Sequence, residues 1–177
     1  MKRMIAAACI LAVCSGAGAQ WADDIGSAYQ KADKNISVGT SFFPIGFYGG
    51  FDYAFHEAIS GGGAVGFNVW PHPYYRDYFV PILGRAAFHP FNLAVIADKV
   101  PARDRLDPYV GFSVGGRINW WRWKDGYGSS YGGGSSARGF VLREWIGVRW
   151  YITDQLAVFA EDCAGLGYLN AGLTLRL

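Results

Sequence analysis

The sequence predicts an all-β fold, an eight-stranded antiparallel transmembrane β-barrel over residues 35–177. From Asn35 onward, apolar residues alternate with small or polar residues with a period of two, as in β-strands that have one apolar face. Charged residues make up only 17% of the chain, whereas aromatic residues also reach 17% and glycine occurs 25 times. Soluble domains carry about 25% charged residues. After residue 20 no apolar run approaches the roughly 20 residues of a membrane-spanning helix, so strands are expected to cross the membrane.

The first 19 residues predict a cleaved signal peptide. Lys2 and Arg3 precede the apolar run 5–13, and Ala17-Gly18-Ala19 fits the small-x-small cleavage pattern. Export through the Sec pathway is therefore expected. Residues 20–34 show helical spacing and form a separate periplasmic N-terminal segment, either an amphipathic turn at the membrane surface or a leader without fixed structure. The net charge of +2 is too small to indicate a nucleic-acid partner.

Eight candidate strands follow from the alternation. In the fifth, Val110, Phe112 and Val114 alternate with Gly111 and Ser113. One apolar face on each strand is typical of a barrel surrounded by lipid, and also of a soluble lipocalin-like cup that encloses an apolar ligand. The candidate strands cover residues 35–43, 45–57, 61–70, 78–89, 107–123, 139–152, 155–162 and 166–177.

The second face of each strand favours the membrane barrel over the cup. It carries glycine, small polar residues and arginine, whereas the outer wall of a soluble cup would usually carry lysine and glutamate. The interior of an eight-stranded barrel is only wide enough for side chains, and charges buried there must pair. We therefore predict a closed, charge-paired lumen. Its predicted members are Asp52, Arg85, Arg117, Arg143, Arg149, Glu161 and Arg176.

Tyrosine and tryptophan cluster beside two of the predicted turns. Their rings favour the membrane–water interface, because one end is apolar and the other forms hydrogen bonds. We predict that they form an interfacial belt, although a carbohydrate-stacking surface is the alternative. These residues are Trp70, Tyr74, Tyr75, Tyr78, Trp120, Trp121 and Trp123.

Two features disturb the regular pattern. Residues 90–106 form a long connection, with a short helix predicted at 93–99. Glu144 falls on the apolar face of the sixth strand, which predicts a bulge or a register shift there.

The C-terminus carries the most specific motif. Asn170, Gly172, Leu175 and Leu177 resemble the signal by which the barrel-assembly machinery recognises outer-membrane proteins. Residues 147–161 and 167–173 are similar to the closing strands of a family of small outer-membrane β-barrel proteins, and 85–89 and 106–111 to its middle strands. The resemblance implies a monomeric eight-stranded barrel in the outer membrane of a Gram-negative bacterium. Its implied partners are that machinery, outer-membrane lipid and lipopolysaccharide; it implies no reaction.

No catalytic, cofactor or metal site is predicted. Lipid A deacylases use a histidine and a serine two residues apart, and no serine follows His56, His72 or His89 at that distance. The histidines are also too scattered to suggest a metal. We therefore expect a non-enzymatic barrel that serves envelope structure or stability, or surface interaction through its outer loops. A lipid A-modifying enzyme that uses His56 or His89 with a nearby acid is the alternative.

Overall fold

The computed structural model describes residues 28–92, 102–124, 137–163 and 165–177. The predicted signal peptide 1–19, residues 20–27 and the helix predicted at 93–99 lie outside these ranges. The described chain consists of strands β1 Lys34–Phe42, β2 Ile45–His56, β3 Ile59–Pro71, β4 Tyr75–Phe88, β5 Leu106–Trp123, β6 Ala137–Tyr151, β7 Leu156–Cys163 and β8 Gly167–Arg176, with a 3-10 turn at Pro90–Asn92.

The eight strands form a closed antiparallel barrel, which confirms the predicted fold class. Each strand pairs with the next along the chain, and β8 pairs with β1 to close the ring. At this seam Val38 lies opposite Leu173 and Gly39 opposite Gly172. Every predicted strand is present, with ends within three residues of those predicted. Since the number of antiparallel strands is even, the start of β1 and the end of β8 lie at the same end of the barrel.

The outward side chains are mainly apolar, whereas the lumen holds polar and charged side chains packed among aromatic and aliphatic ones. On β5 Phe112 is 65% exposed while its neighbour Ser113 is fully buried, and on β1 Val38 is 57% exposed while Ser37 is buried. This is the reverse of a soluble cup with an apolar interior. Among the described residues, no helix is long and apolar enough to cross a membrane.

Two opposed glycines at the seam make room for a large ring in the lumen. A Cβ atom on Gly172 would lie 2.1 Å from the carbonyl oxygen of Val38 and 2.9 Å from the Phe159 ring. A Cβ atom on Gly39 would lie 2.9 Å from the same ring. Only glycine allows this close approach of backbone and ring.

Glu144 keeps the regular register, so the bulge predicted there was wrong. It pairs with Phe112 on β5 and is exposed on the outer face of the barrel. The neighbouring strand β7 ends at Cys163, which pairs with Trp145, so Glu144 lies just beyond the rim of β7. The Glu144 carboxylate therefore lies at the edge of the apolar outer surface of the barrel, and no bulge is needed to keep it out of that surface. Register shifts occur instead at Ala54/His56 and Glu161/Cys163.

Candidate functional site

Glu161 is the centre of a hydrogen-bond network inside the lumen. Its carboxylate accepts hydrogen bonds from Arg85 Nη2 at 2.9 Å, from the Tyr109 hydroxyl at 3.0 Å and from the Tyr48 hydroxyl at 3.1 Å. All four side chains are buried. The Arg85 guanidinium also packs on the Trp145 ring, 3.8 Å from its centroid. The network joins β2, β4, β5 and β7 across the lumen.

A second group of ion pairs lies nearer the end of the barrel that holds the termini. Arg149 Nη2 donates to Asp52 Oδ2 at 2.6 Å, and Arg149 Nη1 lies 3.7 Å from Asp107 Oδ2. The guanidinium carbon of Arg149 is 4.7 Å from the centroid of the Tyr109 ring, which also belongs to the Glu161 network. The two groups therefore stack in contact along the barrel axis.

The second group continues through a chain of hydrogen bonds that has the order of a serine-hydrolase triad. Its members are Ser60, His89 and Asp107. Ser60 Oγ lies 3.0 Å from His89 Nε2, and His89 Nδ1 lies 2.7 Å from Asp107 Oδ1. In a triad the carboxylate orients the imidazole, which removes the proton from the serine. Here all three residues are buried, and the Tyr29 ring stacks on His89 with centroids 3.7 Å apart. A substrate therefore has no open approach to Ser60 in the described part of the chain.

Tyr29 belongs to the segment that precedes β1 and closes this end of the barrel. The amide of Ala28 donates to the Arg103 carbonyl at 2.9 Å, and Asn92 Nδ2 donates to the Tyr29 carbonyl at 2.7 Å. Burial raises the pKa of the Tyr29 phenol well above its usual range, and the nearby Asp107 carboxylate raises it further. The Tyr29 hydroxyl is therefore uncharged when it lies in this closed end.

The seven charged residues predicted for the lumen do not form one network. Arg176 lies at the closed end, where its Nε is 3.1 Å from Asp33 and its guanidinium packs 4.3 Å from the centroid of the Tyr151 ring. Arg117 and Arg143 occupy inward register positions but are exposed, and neither forms an ion pair with a described residue. Both lie on the long strands β5 and β6, where the lumen opens.

The four residues of the predicted assembly motif divide between the two faces of β8. Asn170 is buried in the lumen, where its Oδ1 accepts a hydrogen bond from Ser41 Oγ at 2.5 Å. Gly172 lies against Phe159 as described above. Leu175 and Leu177 are exposed. The motif thus combines a polar contact across the seam with apolar side chains outside the barrel.

The residues of the predicted aromatic belt also divide between the outer face of the barrel and the lumen. Tyr78 and Trp120 lie on the outer face and stack, with centroids 5.7 Å apart and an interplanar angle of 10°. Tyr74 lies in the turn between β3 and β4 and is exposed. The other four rings occupy inward register positions and do not join Tyr78 and Trp120 on the outer face; they are Trp70, Tyr75, Trp121 and Trp123.

These inward rings join two further residues at the end of the barrel opposite the termini. Tyr75 stacks on His72 with centroids 4.2 Å apart and meets Trp123 at 5.9 Å. Trp70 meets Tyr168 at 6.3 Å, with their planes nearly perpendicular at 79°. We name this cluster the aromatic mouth: Trp70, His72, Tyr75, Trp121, Trp123 and Tyr168.

A cavity of about 190 Å³ opens beside the aromatic mouth. Trp70, His72 and Tyr168 form part of its wall. Asp77 and Arg117 bring opposite charges to the same cavity. The sequence indicated these rings, as an interfacial belt or a carbohydrate-stacking surface, but not the cavity, which depends on the register between strands.

No protein-family model matches this chain, and no curated protein matches it. Similar solved structures include the attachment invasion locus protein Ail of Yersinia pestis, at 13% identity and a TM-score of 0.47 over 83% of this chain and 96% of Ail. The N-terminal β-barrel domain of Pseudomonas aeruginosa OprF is 15% identical, with a TM-score of 0.48 over 84% of this chain and 98% of that domain. Neisserial surface protein A is 13% identical, with a TM-score of 0.46 over 82% of this chain and 94% of that protein. At these identities the likeness concerns the barrel architecture alone.

Proposed function

We propose that this protein is a non-enzymatic, integral barrel of the outer membrane of a Gram-negative bacterium, which serves envelope structure or surface interaction. The apolar exterior is the observation that carries the proposal. Val38, Ile82 and Phe112 are each more than half exposed, on three different strands. Apolar surface left in water costs about 25 cal/mol per Å², and hydrocarbon removes that cost.

The filled lumen supports a structural or surface role more than transport. The ion pairs of Arg85 and Arg149 are buried. The rings of Tyr48, Tyr109 and Phe159 are buried as well. A proton or ion pathway would have to break these buried pairs, which costs several kcal/mol.

We infer that the end holding the termini faces the periplasm and that the aromatic mouth faces outward. Outer-membrane barrels have short periplasmic turns and longer outer loops. Two connections at the end with the termini, 57–58 and 152–155, are short, and 89–105 at that end is a long exception. The longest connection at the mouth, residues 124–136, is rich in glycine and serine. Insertion by the barrel-assembly machinery is part of this proposal and is supported by the exposed Leu175 and Leu177 at the chain end. Outer-membrane lipid and lipopolysaccharide are the partners that the apolar exterior would contact.

One observation favours a second candidate, a lipid A-modifying hydrolase. Ser60, His89 and Asp107 have the hydrogen-bond order of a catalytic triad. However, the Tyr29 ring covers His89, and the three residues face the lumen rather than the lipid. The non-enzymatic barrel therefore remains the better supported function.

The proposal is tested by fractionation and by conductance. We expect the protein to remain with the membrane after osmotic shock, and to migrate differently on a cold gel before and after boiling. In planar bilayers the refolded protein should give no steady current. Release by osmotic shock without detergent would contradict the membrane assignment, and a stable ion current would contradict the closed lumen.

A further inference from the structure

The aromatic mouth presents ring faces to a polar cavity instead of to hydrocarbon. Trp70 is 37% exposed and Tyr168 is 55% exposed, and their nearly perpendicular planes form two walls of the cavity. A ring in an interfacial belt would instead point away from the barrel axis, as Trp120 and Tyr78 do. The exposed ring faces at the mouth are therefore available to a ligand.

The chemistry of these walls suits a sugar ring. A pyranose has one face of C–H groups, which packs on an aromatic ring, and an edge of hydroxyl groups, which forms hydrogen bonds. Trp70 and Tyr168 supply the aromatic faces, while the Asp77 carboxylate can accept hydrogen bonds from hydroxyl groups. The cavity of about 190 Å³ is smaller than the roughly 300–1,000 Å³ of sites for drug-sized ligands, so it suits a single ring.

Arg117 adds a preference for negative charge. The Arg117 side chain lines the cavity, and its guanidinium carbon lies 5.3 Å from the centroid of the Phe79 ring. Arg117 forms no ion pair with a described residue. A guanidinium binds a carboxylate through two parallel hydrogen bonds. Asp77 lies on the neighbouring strand, so a ligand between the two can place its carboxylate on Arg117 and its hydroxyl groups toward Asp77.

We propose that the aromatic mouth binds an acidic pyranose, a sugar ring that carries a carboxylate, as the terminal unit of a glycan at the cell surface. The proposal rests on the outward orientation of the mouth given under the proposed function and adds the class of ligand. Trp70 and Tyr168 hold the ring, Arg117 binds the carboxylate, and Asp77 accepts from a hydroxyl group.

Isothermal titration calorimetry of the refolded protein tests this proposal. A zwitterionic detergent without a sugar headgroup is used, and the ligands are glucuronate, glucose and inorganic phosphate. We expect saturable binding of glucuronate, about tenfold weaker binding of glucose and weaker binding of phosphate still, because phosphate cannot stack on the rings. Binding of phosphate as tight as that of glucuronate would overturn the proposal in favour of a simple anion site.

Variants separate the contributions of the ring and of the charge. Arg117→Gln should weaken glucuronate binding about tenfold and leave glucose binding unchanged, whereas Trp70→Ala should weaken both. Trp120→Ala, on the outer face, is the matched control and should bind like the wild type. Each variant is first shown to be folded by its shift on a cold gel. No saturable glucuronate binding, or unchanged binding in both mouth variants, would overturn this inference but leave the membrane barrel itself standing.

Discussion

The Arg85 guanidinium donates to Glu161 across the lumen at 2.9 Å, although β4 and β7 are not neighbours in the barrel. Both side chains are buried, so neither charge can be solvated once the other is removed. Removal of one partner of a buried pair costs about 3–5 kcal/mol. We therefore expect Glu161→Ala to lower the free energy of unfolding by about that amount in urea titrations of the refolded protein. Glu144→Ala, at an exposed glutamate, should change it by less than about 0.5 kcal/mol. Equal effects of the two variants would contradict the cross-lumen pairing.

Replacing both partners with apolar residues should be milder than removing one. Buried ion pairs can often be exchanged for apolar side chains of similar size at little cost. We expect Arg85→Met combined with Glu161→Leu to be more stable than Glu161→Ala by about 1 kcal/mol or more, measured by the same unfolding. If the losses of the single variants Arg85→Met and Glu161→Leu simply add in the double variant, the two residues do not interact.

The seam between β1 and β8 should not tolerate a methyl group at Gly172. Its Cβ atom would meet the Val38 carbonyl at 2.1 Å and the Phe159 ring at 2.9 Å. Overpacking of this kind costs about 1–3 kcal/mol, so Gly172→Ala should unfold at lower urea concentration. At Gly139 nothing lies within 4 Å of the added Cβ atom, and Gly139→Ala is the control. A Gly172→Ala barrel as stable as the control would contradict the packing at the seam.

Ser60 should not react as a nucleophile in the folded barrel. Its hydroxyl is buried, and the Tyr29 ring covers His89. A fluorophosphonate probe, which labels activated serines, should therefore leave the refolded wild-type protein unlabelled, as it should Ser60→Ala. Labelling that appears in the wild type and disappears in Ser60→Ala would favour the hydrolase over the non-enzymatic barrel.

Alkaline pH should weaken the closed end through Tyr29. Since the pKa of this phenol is raised in the folded state, its contribution to stability is complete below the ordinary tyrosine pKa of about 10 and is lost as the pH rises above it. The wild type should therefore lose more stability between pH 8 and pH 11 than Tyr29→Phe, which cannot ionise there. Identical losses in urea midpoints would show that Tyr29 is not buried at this end.

The strands could be predicted because apolar and small or polar residues alternate along each of them, so the residues of a single strand show which of its faces is apolar. Residues such as Val110, Phe112 and Val114 alternate with small residues throughout, and closure of the ring needs only an even set of such segments. The same alternation placed Asp52 and Glu161 inward. It could not supply their partners, because a contact such as that between Tyr48 and Glu161 joins residues 113 positions apart.

The inward position of some residues was missed, although the alternation of inward and outward side chains along their strands already implied it. Trp121 and Trp123 share the parity of Arg117, which was assigned inward, so these rings belonged on the same face. Proximity to a turn was taken as a sign of the membrane–water interface, but β5 extends past the end of β7 and its last rings line the mouth. Asp107 likewise shares the parity of Arg117. The pairing of His89 with Ser60 depends on the register between strands and could not be obtained from spacing along the chain.

The central claim is that the outward side chains contact hydrocarbon. Spin labels attached to single cysteines introduced at Val38, Ile82 and Phe112, in protein with Cys163 replaced by serine and refolded into lipid vesicles, test it most directly. We expect high accessibility to oxygen and low accessibility to a water-soluble nickel reagent at all three positions, because oxygen concentrates in lipid. High accessibility to the nickel reagent at these positions would contradict the membrane-spanning barrel.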